Sequence, residues 1–428
     1  MNDPVRSLPE PRSIAETGLT FGFLTDLALK VVYFANELTG QAVANQLKLP
    51  FTHVVEELLA FLIRDDSLAI TGSTGFGERA YKYAVTQKGI AKAQEVLARC
   101  QYAGAAPVSL KASIAMTHQQ SIGEVRVTQP EVRAGFQHLV ISDEMLSRVG
   151  PAVNSGRSVF LYGPPGNGKT VVAEGISKLL GGTVFIPYAV EIDGQVIKVY
   201  DEVNHRPIPE LAAAAPGLGT DTPLNDQRWA LCHRPFIVVG GELTLAGLDL
   251  VYDPGSKVYE APYQMKANGG MFLIDDFGRQ QVSPRDLLNR WIVPLEKRVD
   301  YLTLQTGKKI EIPFDALIVF STNIEPSKLV DEAFLRRIRH KILVPDPTWD
   351  QYREIFRRIC PKFGMEYSED SVDYLIQEHY LKVGRTPKMV HPRDLLDQIV
   401  DVARYMDVQP AMSKALLDRA VGAYFVRL

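Results

Sequence analysis

Cysteine is scarce: Cys100, Cys232 and Cys360 are the only three in 428 residues, far apart and in no metal-ligand spacing. That excludes a disulfide framework and a thiolate zinc site, and free thiols suit a reducing, cytoplasmic location. The chain also lacks an excess of either charge, with 47 Lys and Arg against 50 Asp and Glu and a net charge of −3. No global electrostatic case for a nucleic-acid partner remains. No apolar run approaches the ~18 residues of a membrane span. The opening MNDPVRSLPEPRS is polar and Pro-rich, unlike a targeting segment. What is there is 46% hydrophobic and 23% charged, a soluble globular composition over a length that calls for two or three domains.

One stretch states a chemistry. Residues 159–162 are apolar and β-prone, 163–170 read Gly163-Pro164-Pro165-Gly166-Asn167-Gly168-Lys169-Thr170, and 171–180 have helical spacing that ends at Gly181-Gly182. A strand, a glycine-rich loop and a helix in this order let backbone amides cradle a polyphosphate at the helix N-terminus. Residues Gly163 to Val171 would line the nucleotide, Lys169 would reach its β- and γ-phosphates, and Thr170 would hold Mg²⁺. ATP and Mg²⁺ are the expected cofactors.

Two later apolar runs end in polar groups. Residues 271–276, MFLIDD, deliver Asp275 and Asp276 to the C-terminal edge of a buried parallel strand, where acids meet a phosphate site. Asp275 would share Mg²⁺ with Thr170, and Asp276 would orient and deprotonate the attacking water. Residues 316–323, ALIVFSTN, bring Asn323 to the same edge, in reach of the γ-phosphate or the water. In DEAFLRRIRHKI, Arg336, Arg337 and Arg339 crowd a helix end before another strand. Guanidinium groups suit phosphate oxygens, and one offered across a subunit boundary would act as an arginine finger.

The remaining sequence divides as follows. Residues 1–17 read as a flexible arm. Residues 18–100 show helices near 23–34, 40–47 (with Thr39 as cap) and 52–64, β-like runs at 67–71 and 79–86 around a Gly-rich loop, and a helix over 88–99. This order resembles a winged helix-turn-helix domain, whose third helix would be the one offered to a DNA groove. Yet eight Lys/Arg (30, 48, 64, 79, 82, 88, 92, 99) are balanced by eight Asp/Glu (26, 37, 56, 57, 65, 66, 78, 95), a poor footprint for DNA. A protein partner is favoured, with nucleic acid second. Residues 101–133 lack a sustained period and read as a linker, followed by a helix near 136–149. Residues 183–186 read as the second strand of the core. A β-rich insertion over about 188–265 follows, with hairpin turns at Asp193-Gly194 and Asp253-Pro254-Gly255. Its Tyr252, Tyr259 and Tyr263 either face a pore or pack across strands.

GPPGNGKT, FLIDD, VFSTN and FLRRIR, in this order and spacing, resemble the AAA+ ATPases at their Walker A, Walker B, sensor 1 and arginine-finger positions. Helical patterns at 349–363, 368–381, 393–405 and 413–425 look like that family's α-helical lid, and Arg393 in HPRDLL resembles its sensor 2 arginine. The resemblance covers about residues 136–428. It implies an α/β fold, a parallel P-loop NTPase sheet flanked by helices over 134–346 with a lid over 347–428, and a homo-oligomeric, hexameric ring. Catalysis would fall to Asp276, Asn323, Arg393 and, from a neighbour, Arg336 and Arg339. The β-rich insertion looks like the hairpin-inserted branch of MoxR-type proteins and enhancer-dependent activators, although no GAFTGA sequence is present. Asp276 stands where the family more often has Glu, which points to slow hydrolysis. The implied activity is an ATPase that remodels or moves a macromolecular, chiefly protein, client. The alternatives are an ATP-gated DNA-binding regulator and a slow nucleotide switch.

Overall fold

The computed structural model describes residues 8–208 and 225–425. From Leu8 onward the expected free arm is tied down: the Leu8 N–H donates to Asn225 Oδ1 at 3.1 Å, and Pro11 and Thr17 are buried. The anchor is Arg228. Its guanidinium forms a bidentate pair with Asp226, 2.7 Å at the shorter contact, and donates to the carbonyl of Thr17 at 2.7 Å, with both side chains almost wholly buried. A pattern rich in proline carries no sign of a partner more than 200 residues away.

The N-terminal unit comprises α1 Phe21–Ala35, β1 Glu37–Thr39, α2 Gly40–Leu47, α3 Glu56–Arg64, β2 Leu68–Ser73, β3 Tyr81–Val85 and α4 Gln87–Arg99. The hydroxyls of Thr20, Thr39 and Thr86 cap α1, α2 and α4 by accepting from backbone amides. Leu24, Leu27, Val43, Leu58 and Leu62 close one core beneath a three-stranded sheet of order β1-β3-β2. Strand β1, three residues long, is too short to carry a period. Helix α3 starts later than expected, because Thr52 is extended (ψ 132°) and His53 left-handed (φ 66°).

The expected linker is structured. It contains β4 Val108–Ser109, α5 Leu110–Gln119 and α6 Gln129–Phe136, the last begun by a capping box of Thr128 and Glu131. Only Met116 and Thr117 of α5 are buried, so no helical stripe shows in its sequence.

After α7 Asp143–Ser155 come β5 Ser158–Tyr162, α8 Lys169–Leu180, β6 Thr183–Pro187, β7 Ala189–Ile192, β8 Gln195–Lys198, β9 Trp229–His233, β10 Phe236–Val239, β11 Val251–Asp253, β12 Val258–Glu260, β13 Met271–Ile274, β14 Val299–Thr303, β15 Lys309–Pro313, β16 Leu317–Thr322, α9 Glu332–Arg337 and β17 His340–Leu343. Five of these strands form a wholly parallel sheet of order β10-β13-β16-β5-β17, flanked by helices: a P-loop NTPase α/β core. The edge strand is a correction. Residues 183–187, expected in this sheet, pair antiparallel with β9, while β10, expected within the insertion, takes the edge in register Phe236↔Met271. Both segments are short, apolar and β-prone, so local sequence could not say which would meet β13.

The insertion forms a second sheet, β11-β12-β8-β7-β4, that recruits β4 from the supposed linker. Both expected turns are present, Asp193 (φ 50°) and Gly194 (φ 80°) joining β7 to β8, and Asp253 leading from β11 to β12. A further hairpin, β14–β15, lies between β13 and β16; Lys308 at its tip pairs with Asp193 of the other hairpin. The tyrosines favour packing over a pore: Tyr259 is 2% exposed, packs tilted against Tyr252 with ring centres 4.9 Å apart and accepts from the Gln305 N–H, and Tyr263 packs on Phe272. Ala189, Val196 and Val258 of this sheet also meet Phe23 and Cys100 of the N-terminal unit and Tyr102 just after it.

The lid is α10 Trp349–Ile359, α11 Glu369–Ile376, α12 His391–Tyr405 and α13 Lys414–Tyr424 around Tyr352, Phe356, Leu395 and Leu417, as its amphipathic patterns predict. The cysteines are free, and burial pushes the Cys232 thiol up to about 12 and that of Cys360 up to about 11. Among the described residues no helix is long and apolar enough to cross a membrane.

Arg228→Met should strand Asp226 as an uncompensated buried charge and cost about 3–5 kcal/mol. Urea unfolding of the full chain reads this directly, and an unchanged midpoint would refute the anchoring role.

Candidate nucleotide site

The loop from Gly163 to Gly168 leaves β5 at the C-terminal edge of the sheet and ends where α8 begins, so the first amides of α8 open toward the loop. Two of its glycines are needed for close approach. Gly163 (φ 145°) passes the exit of β17 so closely that a Cβ would lie 2.2 Å from the Val344 carbonyl oxygen. Gly166 (φ 78°) faces Val390 of the lid, where a Cβ would meet Cγ1 at 2.9 Å. Pro165, Gly166 and Val171 are exposed and Pro164 is half-buried.

Asp275, Asp276 and Asn323 lie beside this loop. The Lys169 ammonium donates to the carbonyls of Gly163 and Pro164, each at 3.0 Å, and to Asn323 Oδ1 at 2.5 Å. The Asn323 amide in turn donates to Asp276 Oδ1 at 3.1 Å. Thr170 Oγ1 donates to Asp275 Oδ2 at 2.8 Å. Burial lowers the Lys169 pKa, opposed by Asp275 and Asp276 and assisted by Lys388. Asp276 adopts a left-handed backbone (φ 50°), a region in which Asp is enriched, and the Gln280 amide clasps the carbonyls of Asp275 and Asp276.

The arginines lie elsewhere. In the parallel register His340↔Val159 and Leu343↔Tyr162, Arg339 sits at the start of β5, about 16 Å of strand from the phosphate loop. There Arg336, Arg337 and Arg339 line an open groove with Arg157, whose position no motif had singled out. Arg336 is exposed and pairs with Glu332, and Arg337 pairs with Glu296. Arg393 is 62% exposed and bonded to Asp394, with no hydrogen bond to the loop.

Asn167 does something the motif did not announce. It is 1% exposed; its amide donates to Asp346 at 2.7 Å and its carbonyl accepts from the Met389 N–H at 3.1 Å. The Val390 N–H donates to the Gly166 carbonyl at 2.9 Å, so the phosphate loop is stitched to the start of α12. Asp346 and Lys388, joined at 2.6 Å, complete this junction and were missed. The one available signal was Pro345-Asp346-Pro347, an acid held stiffly just after the last strand.

The match to a family model described as "Domain of unknown function (DUF8689)" is confined to residues 348–423, the lid. No curated protein matches the chain. Among solved structures, NtrX from Brucella abortus in complex with ADP shares 15% identity at a TM-score of 0.41, covering 68% of this chain and 56% of its own. NtrX in complex with ATP follows at 15% and 0.39, covering 67% and 54%. The Thermotoga maritima RuvB P216G mutant gives 14% and 0.35, covering 71% and 72%. The chain thus spans little more than half of the NtrX chain, and likeness at this level carries no inference about activity or partners.

The lid's foot has a titratable group. His391 Nδ1 faces two donors, the Tyr380 hydroxyl at 2.9 Å and the Lys388 N–H at 3.3 Å, and burial lowers its pKa to about 4. The unfolded chain protonates this ring near 6.5, so it binds more protons between the two values and folding stability falls as pH drops from about 6.5 to about 4. The loss should be on the order of 3 kcal/mol. Denaturant unfolding across that range should show a shallower pH slope for His391→Gln than for the unsubstituted chain.

Proposed function

We propose that this chain is an ATP-hydrolysing member of the AAA+ type that works as a homo-oligomeric ring, hexameric as the family resemblance implies, and remodels or moves a macromolecular client. The observation that carries the reading is the convergence of Lys169, Asn323, Asp276, Thr170 and Asp275 beside one glycine-rich loop. Bound triphosphate would take over the Lys169 ammonium from the loop carbonyls and Asn323. Asn323 and Asp276 would then hold the attacking water, with the Asp276 carboxylate accepting its proton.

The donor set fits magnesium: Thr170 Oγ1 and Asp275 Oδ2 are hard oxygens 2.8 Å apart, and such sites use one or two protein oxygens with phosphates and waters. Magnesium there would neutralise charge building on the phosphate oxygens. Arg339 stands at the far end of β5 from its own loop and Arg336 lines the same groove, which favours service to a neighbour's loop. Arg393 would leave Asp394 for the γ-phosphate. The exposed Glu57, Ala60 and Arg64 on α3 and the balanced charge of the N-terminal unit favour a protein client over DNA.

Lys169→Ala should abolish tight ATP binding by calorimetry, and undiminished binding would sink the assignment. Asp276→Asn should keep binding while phosphate release falls by about 100-fold or more. Subunits bearing Arg336→Ala and Arg339→Ala, inactive alone, should regain turnover when mixed with Lys169→Ala subunits; no recovery would argue against shared sites.

A further inference from the structure

The nucleotide reading above gives no role to a half-buried cation beside the loop. Lys388 lies in the loop before α12, 20% exposed, with its ammonium 2.6 Å from Asp346 Oδ1. The same oxygen accepts from the Asn167 amide at 2.7 Å, so lid lysine and phosphate loop meet on one atom. The next two residues cannot drift away, since the Met389 N–H is held by Asn167 and the Val390 N–H by Gly166. A lysine on a flexible four-carbon stem is thereby tethered at its backbone to the very loop that would wrap the phosphates. Its charge already acts on Lys169, lowering that group's pKa.

Resting on that reading, we propose that Lys388 is a second lid cation for the nucleotide's phosphates, beside or in place of Arg393, and that Asp346 is its parking site when no nucleotide is bound. A triphosphate offers several negative charges where the lysine now has one carboxylate oxygen, itself shared. Exchange of Asp346 for phosphate would make lid docking respond to what the loop holds. Asp346, set between Pro345 and Pro347 on the strand-to-lid connection, stays in place while its partner moves.

Loss at the lysine end of this pair and no loss at the carboxylate end separate the proposal from a passive strut. ATP binding to the full chain, measured by calorimetry in magnesium buffer, should weaken about tenfold in Lys388→Gln, and the salt dependence of binding should flatten. Lys388→Arg should restore affinity to within about threefold. Asp346→Asn keeps an acceptor for Asn167 but releases the lysine, and should bind ATP as tightly as the unsubstituted chain or tighter. Lys388→Gln binding like the parent, or Asp346→Asn weakened as much as Lys388→Gln, would overturn the proposal. Loss of binding in Lys169→Ala with none in Lys388→Gln would overturn it alone, whereas an unsubstituted chain that binds no ATP would overturn the nucleotide reading with it.

Discussion

The Lys169 ammonium, sunk among two loop carbonyls and one amide oxygen, is the interaction on which the centre of this molecule turns. A charge buried this far must be matched by oriented acceptors, or its desolvation would disrupt the loop. The carbonyls of Gly163 and Pro164 can turn inward only because Gly163 passes against the end of β17 with no side chain. The third acceptor, Asn323, arrives only because β16 lies next to β5 in the sheet. Strand order, glycine placement and lysine burial are therefore one constraint seen from three sides.

From that constraint the sheet acquires a chemical edge and a plain one. All five strands run the same way, so their C-terminal ends deliver Asp275, Asp276 and Asn323 to one line, while Arg157 and Arg339 fall at the opposite end. Parallel strands buried on both faces have little else to vary than their end residues. The lid adds a third surface. The residues just before α12 rest on Gly166 and Asn167, so movement of the loop and movement of the lid are mechanically linked through three hydrogen bonds and one shared carboxylate.

Around this centre the chain is more continuous than its sequence punctuation suggests. The insertion sheet takes a strand from the linker segment and packs on the N-terminal unit, while Arg228, just before β9, clamps the N-terminal arm. An N-terminal unit joined this firmly would transmit rather than absorb displacement of the insertion.

The sequence by itself determined what depends on neighbours along the chain. The glycine-rich loop, the buried strands ending in Asp275-Asp276 and Asn323, the two hairpin turns and the four lid helices are all local: a φ that only certain residues adopt, a run of apolar side chains, a stripe at helical spacing. Tertiary structure alone decided which short strand takes the sheet edge, because residues 183–187 and 236–239 have the same local character and differ only in the partner they reach. It also decided that Tyr259 packs instead of facing outward and that Asn167 reaches across 179 residues to Asp346. Contacts at such separations leave no period and no turn signal. They exist only once the sheet has set the distances.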